Sequence, residues 1–328
     1  MIGASLYRSV VAVRNYCFDH EILRARRLSW PVISVGNISV GGSGKTPFVI
    51  MLGELLKQRG IEVDVLSRGY RRTTTGVLRV YPDGTPEQFG DEPLLIARKL
   101  GCPVFVGEDR FNAGLEAEET TGAAQPNRVH LLDDGFQHRQ LHRDLDIVLL
   151  NQEDLSDKLL PAGRLREPLS ALQRADVVVA DQDFPQDQLP GGEFQVWRIE
   201  RNIVVPKLDR PVIAFCGIAR PQGFFSALRK HGLDVREEIV FRDHHRYTSD
   251  DVARLIAAQA RHAGSQLITT EKDAVNLGAH AAGLNSVVVP LETRLTQADE
   301  AVALMLATIS EQRKARKSSC VSGDVRAM

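Results

Sequence analysis

Continuous apolar runs of strand length recur through the first 180 or so residues, separated by polar or glycine-rich segments. Between two of these runs, residues 45–60 show the spacing of a helix that ends at Gly60. Strands that are apolar throughout are typical of a parallel sheet with helices on both faces. We therefore predict an α/β fold with a mostly parallel sheet flanked by helices. The predicted strands lie within residues 31–37, 61–69, 102–107, 128–135, 145–151 and 175–182.

The pattern changes after residues 181–193, which are rich in Pro, Gly, Asp and Gln. We predict that the first domain spans residues 28–192 and that the alternating residues 193–210 form a linker ribbon. Residues 211–312 repeat the α/β rhythm on a smaller scale, which predicts a second, smaller α/β domain. Residues 313–328 contain few apolar side chains, and we predict a disordered tail there.

Residues 1–27 carry an amphipathic helical pattern in which the apolar positions recur at steps of three or four. Two interpretations remain open. The helix can pack its apolar face on its own domain, or it can lie in a membrane interface, where arginines would be attracted by anionic headgroups. The apolar positions are Ile2, Leu6, Val10, Val13 and Cys17, and the arginines are Arg8, Arg14, Arg24, Arg26 and Arg27.

Composition and charge narrow the functional classes. The formal net charge of −1 over 328 residues gives no global basic field, so we expect no nucleic-acid partner. The four cysteines show no zinc-site spacing and fit a reducing compartment. The sequence contains neither a secretory signal pattern nor an apolar run of about 18 residues, so we expect no transmembrane span.

The segment GNISVGGSGKTP, residues 36–47, has the composition of a phosphate-binding loop. Its glycines let backbone N–H groups converge on phosphate oxygens, its lysine can reach the β and γ phosphates, and its threonine can bind Mg²⁺. The alternative is a glycine-rich turn with an incidental Lys-Thr pair. A strand before the loop and a helix after it favour the nucleotide site, for ATP with Mg²⁺. The predicted nucleotide-binding residues are Ser39, Gly41, Gly42, Ser43, Gly44, Lys45 and Thr46.

Two adjacent aspartates, Asp133 and Asp134, follow an apolar strand. A magnesium nucleotide site needs a carboxylate at the end of a neighbouring strand. Successive side chains of a strand point to opposite faces, so the two aspartates cannot share one role unless the strand has already turned. One of them is expected to bind the metal and the other to act nearby.

Seven segments in order make the chain resemble the tetraacyldisaccharide 4'-kinases, the lipid A 4'-kinases of Gram-negative bacteria. In that family's loop a serine stands where Ser39 replaces the first glycine of the general pattern. Arg164 stands where the family pattern has proline, and we assign it no role. The segments are VGNISVGGSGKTP (35–47), LSRGYRR (66–72), GDEP (90–93), DDGFQHR (133–139), LLPAGRLREPLS (159–170), DHHRYT (243–248) and TEKDAV (270–275).

The resemblance implies transfer of the γ-phosphoryl group of ATP to the 4'-hydroxyl of a tetraacylated glucosamine disaccharide 1-phosphate. It also implies a P-loop fold and a peripheral, monotopic location on the cytoplasmic face of the inner membrane. The helix within residues 1–27 would then dock on lipid. We expect the protein to be a monomer.

The resemblance also assigns roles to individual residues. It implies that Asp91 acts as the base and that His244 orients it, with the second domain closing on the first. From sequence alone, Asp91 is instead expected to cap the following helix, and His244 could lie on the surface. The implied metal surroundings are Thr46, Asp134, Asp133 and Glu167.

Arginines and a tyrosine in the loop after the second strand suit recognition of the sugar and its 1-phosphate, because arginine forms paired hydrogen bonds with phosphate oxygens. The alternative is that they are solvated loop cations. His138, four residues beyond Asp134, is a candidate for contacting the γ-phosphate or the acceptor. For residues 270–275 we predict no mechanism, although a strand-end position would suit contacts to the nucleotide base. The predicted substrate-binding residues are Arg68, Tyr70, Arg71, His138 and Arg166.

Two other classes share this kind of loop. Dimerising partition-type ATPases use an additional lysine before the glycine pair, where this chain has Val40. A soluble small-molecule kinase or ATP-dependent ligase would leave the basic N-terminal helix without a role.

Overall fold

The computed structural model describes residues 2–122 and 127–324, which form two α/β domains. The helices are α1 (Ile2–Asp19), α2 (Lys45–Gln58), α3 (Pro86–Phe89), α4 (Asp91–Leu100), α5 (Arg110–Thr121), α6 (Pro221–Lys230), α7 (Ser249–Arg261), α8 (Glu271–Leu277) and α9 (Ala298–Asp324). The strands are β1 (Val32–Asn37), β2 (Glu62–Ser67), β3 (Leu78–Arg79), β4 (Val104–Val106), β5 (Arg128–Asp133), β6 (Leu145–Leu149), β7 (Val177–Asp181), β8 (Gln195–Ile203), β9 (Val212–Cys216), β10 (Val235–Val240), β11 (Gln266–Thr270), β12 (Ser286–Val289) and β13 (Leu291–Leu295). Short 3₁₀ helices cover Gln152–Leu155, Leu169–Arg174, Gln186–Gln188 and Gly278–Gly283.

The larger sheet has the strand order β13-β8-β7-β6-β1-β5-β2-β4-β3. Its strands from β8 to β4 pair in parallel, and the two edge strands, β13 and β3, pair antiparallel to their neighbours. The central strands β1, β5 and β6 are buried along their whole length because helices cover both faces. The predicted fold class is confirmed.

The smaller sheet is entirely parallel and has the order β10-β9-β11-β12. It has a core of its own in which Ile213, Phe215 and Leu267 pack against Leu255 of helix α7. The structure therefore contains the second, smaller α/β unit that the sequence pattern predicts.

The structure moves two of the predicted boundaries. Residues 193–210 are not a separate linker ribbon, because β8 joins the larger sheet between β7 and β13. The smaller unit does not extend to residue 312, since Leu295 of β13 and Met305 and Ile309 of α9 pack in the core of the larger domain. The sequence pattern misled here because β8 is buried only at alternate positions near its start. The chain thus crosses between the domains twice.

The C-terminal segment also differs from the predicted disordered tail at 313–328. Helix α9 continues to Asp324. Residues 311–317 consist mainly of Glu, Gln, Arg, Lys and Ala, which favour helices even without apolar contacts. The last four residues, 325–328, lie outside the described part of the chain.

The sheet positions the polar loops at one edge. In parallel strands the carboxyl ends of neighbours meet at the same edge, where ligands bind. The loop at 38–44 follows β1, and Asp133 ends the adjacent strand β5. A β-carbon added at Gly36 would lie 2.5 Å from Cβ of Phe136, so the residue before the loop has to be glycine for the chain to pass.

A buried charged cluster joins helix α5 to the sheet. The ring of His130 on β5 contacts Asp64 on β2 through Nδ1 at 2.5 Å and Glu118 on α5 through Nε2 at 3.3 Å. Because each ring nitrogen faces a carboxylate, both donate, and the ring is an imidazolium. Burial lowers the pKa of His130, but Asp64 and Glu118 outweigh it and raise the pKa to about 9.

We predict that this cluster makes stability depend on pH. The pKa of His130 is higher folded than unfolded, so its contribution is complete below about pH 6.5 and is lost as the pH rises towards 9. Relative to wild type, His130→Gln should lower the free energy of unfolding by about 2 kcal/mol at pH 6.5 and by much less at pH 9. Urea denaturation followed by circular dichroism measures both. Parallel pH curves for the two proteins would contradict the charge assignment.

Candidate active site

The loop between β1 and α2 has the conformation of a phosphate cradle. Gly41 and Gly44 adopt positive φ angles of 95° and 78°, which side chains with a β-carbon rarely reach. Asn37 stabilises the turn, because its Nδ2 donates to the carbonyl of Ser39 at 2.8 Å. Lys45 begins helix α2, and its Nζ donates to Oδ1 of Asn37 at 3.0 Å. The helix N-terminus and the lysine therefore lie where an anion would be favoured.

Asp134 forms ion pairs with two cations beside this loop. Its carboxylate lies 3.3 Å from Nζ of Lys45 and accepts two hydrogen bonds of 2.9 Å from NH1 of Arg166. Burial raises the pKa of Asp134, but the charges of Lys45 and Arg166 outweigh burial and hold the pKa well below its usual range. Asp134 is therefore ionised and orients both cations.

Asp133 has different surroundings although it is the preceding residue. It ends β5, accepts a hydrogen bond of 2.9 Å from the Ser67 hydroxyl, and is buried. Asp134 has left the strand with a φ of 53°, which sends its side chain elsewhere. Burial raises the pKa of Asp133, and the charges of Glu92 and Asp134 raise it further.

The surroundings of Asp133 fit a cation. Among the described residues, none donates a hydrogen bond to its buried Oδ1, and a bound cation would satisfy that atom and favour the carboxylate form. Thr46, also buried, follows Lys45 at the start of α2. The described residues contain no group of three His, Cys, Asp or Glu side chains that could hold a metal. Magnesium does not need one, since it keeps waters and phosphate oxygens beside one or two protein ligands.

Glu167 was expected in the surroundings of the metal, and in the structure its side-chain partners come from helix α1 and from Arg174. Its buried carboxylate accepts hydrogen bonds from Asn15 at 2.7 Å and Arg174 at 3.0 Å, and it lies 3.5 Å from NH2 of Arg14. Its neighbour Arg166 turns to Asp134, so the two adjacent side chains diverge. Glu167 therefore joins helix α1 to the body of the larger domain.

Asp91 and His244 meet across the two domains. Nδ1 of His244 lies 3.0 and 2.8 Å from the two carboxylate oxygens of Asp91, and Nδ2 of Asn276 donates to Oδ2 at 3.1 Å. Burial raises the pKa of Asp91, but His244 and the charge of Lys272 outweigh it and lower the pKa. The carboxylate is therefore ionised. Asp91 is the first residue of α4 and Gly90 is the cap, so the side chain of Asp91 is not a helix cap.

His244 reaches this position from the smaller domain, in the loop that follows β10. It has a φ of 55°, and its N–H donates to the carbonyl of Gly217 at 3.1 Å. Tyr70 contacts its ring edge-on, with the ring centroids 5.3 Å apart. Arg71 donates from NH1 to the carbonyls of Asp243 and His244 at 2.8 and 2.9 Å, so this guanidinium braces the two domains against each other.

The other predicted substrate residues are in part free to meet an anion. Arg68 is exposed. Among the described residues, the buried Nε2 of His138 has no hydrogen-bond partner, and neither has the buried Nε of Arg110. Burial lowers the pKa of His138, and the charge of Arg110 lowers it further, to about 4, so the ring is neutral at pH 7. Arg110 was missed by the sequence analysis because it starts a helix and belongs to no recognised motif.

The segment 270–275 contributes to the Asp91–His244 pair. Lys272 and Asn276 are four residues apart on α8, hence on one helix face, and both reach this pair. The sequence analysis missed both residues. The four-residue spacing was visible, but it does not reveal that α8 packs on α4.

Comparisons with known proteins agree with this geometry. A family model described as Tetraacyldisaccharide-1-P 4'-kinase (LpxK) matches residues 1–310. A Tetraacyldisaccharide 4'-kinase of Koribacter versatilis is 46% identical over 321 residues, which cover 94% of this chain and 98% of that relative. A protein of the same name from Geobacter metallireducens is 40% identical over 301 residues, covering 83% and 86%.

A solved structure is similar over nearly the whole chain. The "apo" form of LpxK from Aquifex aeolicus in complex with ATP matches with a TM-score of 0.76 and 35% identity, covering 93% of this chain and 97% of that one. With the family model and these relatives in agreement, the chain belongs to the tetraacyldisaccharide 4'-kinase family.

Proposed function

We propose that the protein transfers the γ-phosphoryl group of ATP to the 4'-hydroxyl of tetraacyldisaccharide 1-phosphate, with Asp91 accepting the proton of that hydroxyl. The family assigns the reaction. The observation that supports the role of Asp91 is its double contact with His244 across the domains. Asp91 belongs to the larger domain, as the phosphate loop does, and closing the domains brings His244 to it.

Phosphoryl transfer depends mainly on positioning and on neutralising charge at the transferred group. The loop amides and Lys45 would bind the phosphates, and Asp134 and Arg166 hold Lys45 in place through the ion pairs that link them. Asp133 and Thr46 would hold Mg²⁺. When bound, the metal would act as a Lewis acid that neutralises charge on the phosphate oxygens.

The lowered pKa of Asp91 suits a proton acceptor in this reaction. At neutral pH the group is a carboxylate, which can accept the hydroxyl hydrogen bond and fix the direction of attack. The transition state of phosphoryl transfer is loose, so the hydroxyl proton leaves late and a strong base is not required. His244 keeps one edge of the carboxylate occupied and thereby orients it.

The acceptor carries a 1-phosphate at the other end of its disaccharide. Arg68 and Tyr70 are exposed, and the ring of Tyr70 contacts His244. Arg110 is electrostatically coupled to both Arg68 and Asp134. We assign Arg68 and Tyr70 to the sugar and its 1-phosphate. Because Arg71 is occupied by carbonyls of the smaller domain, its part is to hold the closed arrangement.

Helix α1 would place the protein on the cytoplasmic face of the inner membrane, where the lipid acceptor lies. Its residues Leu6, Val10 and Val13 are 65, 60 and 62% exposed and form one apolar face. Exposed arginines, Arg8 among them, supply the charge that anionic headgroups attract. Among the described residues, no helix has both the length and the hydropathy that a membrane crossing requires.

We predict that Asp91→Asn lowers kcat by about 10²–10⁴, the usual contribution of a general base. The amide keeps the volume of the carboxylate but cannot accept the proton. ATP binding should stay within about twofold, since Asp91 lies in α4 and not in the phosphate loop. Transfer of radiolabelled γ-phosphate to the lipid acceptor in detergent micelles measures kcat. Full activity of the variant would remove Asp91 from the chemistry, and ATP hydrolysis without lipid product would favour a dimerising switch.

We predict that Leu6→Ser/Val10→Ser/Val13→Ser weakens binding to phosphatidylglycerol vesicles about tenfold or more, because three apolar side chains no longer enter the interface. Co-sedimentation with the vesicles measures the bound fraction. The control is Ile256→Ser, which alters an apolar residue on α7 of the smaller domain that is 48% exposed. If the two variants sediment alike, α1 is not the membrane contact.

A further inference from the structure

The side chain of Lys272 lies in the middle of a cluster that the proposed chemistry leaves unexplained. It extends from α8 of the smaller domain and is 20% exposed. Its Nζ lies 3.2 Å from Nε2 of His244, 3.4 Å from Oε1 of Glu92 and 3.5 Å from Oδ1 of Asp243. The distance to Oδ2 of Asp91 is 3.8 Å. A single ammonium group thus contacts both members of the Asp91–His244 pair.

The hydrogen bonds of His244 define its protonation. Burial lowers the pKa of Lys272, but Glu92, Asp91 and Asp243 outweigh burial and raise it, so the amine is an ammonium. An ammonium has three donors and no acceptor. Nε2 of His244 must therefore accept from Lys272, and the ring proton lies on Nδ1, facing Asp91. The ring is neutral, and its proton points at the carboxylate.

We propose that Lys272 is a positioning residue that keeps His244 in the neutral, Nδ1-protonated form, so that the Asp91 carboxylate stays basic enough to accept the proton of the acceptor hydroxyl. The inference deepens the proposed function and rests on it. Without Lys272, Nε2 is free to take up a proton. A charged ring would donate to Asp91 more strongly than the neutral ring does and would make the carboxylate a weaker proton acceptor.

The groups that face this histidine come from several elements. Asp91 and Glu92 belong to α4, Lys272 to α8, and Asp243 to the loop that carries His244. From the loop after β2, Tyr70 contacts the ring, and Arg71 binds the carbonyls of Asp243 and His244. Among the groups just named, Lys272 alone carries a positive charge and directs an N–H group at a ring nitrogen of His244.

The kinetic test compares kcat as a function of pH. In Lys272→Met, kcat at pH 7 should fall about tenfold or more. The acid limb of the kcat–pH curve, where activity is lost as the pH falls, should move up by about one pH unit. The sign follows from the charge, because removing the ammonium raises the pKa of Asp91 and makes protonation of the ring easier. The KM for ATP should change by less than about twofold. Lys272→Arg should restore the acid limb, since a guanidinium also donates and stays charged.

The matched control removes a different ion pair between the same two helices. Lys99 of α4 pairs with Glu271 of α8, away from His244. Lys99→Met tests whether any loss of a cross-domain pair gives the same defect. It should leave the acid limb in place. An equal shift in Lys99→Met would show that Lys272 only joins the domains and would overturn the inference.

A spectroscopic measurement tests the inference without kinase activity. Long-range ¹H–¹⁵N spectra of the histidines distinguish the two neutral tautomers and the charged ring. In wild type at pH 7, His244 should be neutral with its proton on Nδ1, and in Lys272→Met it should become charged at a higher pH than in wild type. A wild-type ring protonated on Nε2 would overturn the inference even if the variants fail to fold. Full activity of Asp91→Asn, in contrast, would overturn the proposed function and leave these spectra unchanged.

Discussion

The contact between Asp91 and His244 is the interaction on which the candidate site depends, because it joins two separately folded sheets at the point of chemistry. A buried carboxylate is costly unless its oxygens are paired. The side chains that hydrogen-bond to the Asp91 carboxylate among the described residues, His244 and Asn276, both come from the smaller domain. Separating the domains would leave the carboxylate without them. The same contact that assembles the site therefore also favours the closed arrangement, supported by the pairs of Lys272 with Glu92 and of Arg220 with Glu153.

The adjacent residues Asp133 and Asp134 have different surroundings because the backbone changes direction between them. Asp133 keeps the strand conformation and stays in the interior, while Asp134 takes a positive φ and reaches Lys45 and Arg166. Their pKa values move in opposite directions for that reason. One carboxylate is held ionised by cations, and the other is buried with one oxygen that no described residue hydrogen-bonds. A tandem pair of identical residues thus supplies two different electrostatic environments.

The sequence predicted those features that depend on local geometry. The glycine spacing at 41–44 predicted the loop, since only a glycine-rich turn brings backbone amides together there, and apolar runs predicted the parallel strands. Long-range pairing was not visible. Strand β8 was predicted to be a linker ribbon because its apolar positions alternate as in a surface ribbon. The contacts of Glu167 with α1 were not predicted, because about 150 residues separate them. Lys272 was missed for the same reason, as its role depends on how α8 packs on α4.

Helix α1 has an exposed apolar face and, opposite it, a polar face that contacts the larger domain. Its apolar face is open, whereas its polar face is bound to the interior by the contacts of Arg14 and Asn15 with Glu167 and by the hydrogen bond of 3.0 Å from the Tyr7 hydroxyl to the carbonyl of Arg166. Arg166 in turn forms an ion pair with Asp134, beside the phosphate loop. These contacts fix the orientation of α1 relative to the larger domain. A molecule resting on lipid through α1 would hold its phosphate loop at a constant height and tilt above the bilayer, leaving it only lateral diffusion and rotation about the membrane normal in its search for substrate.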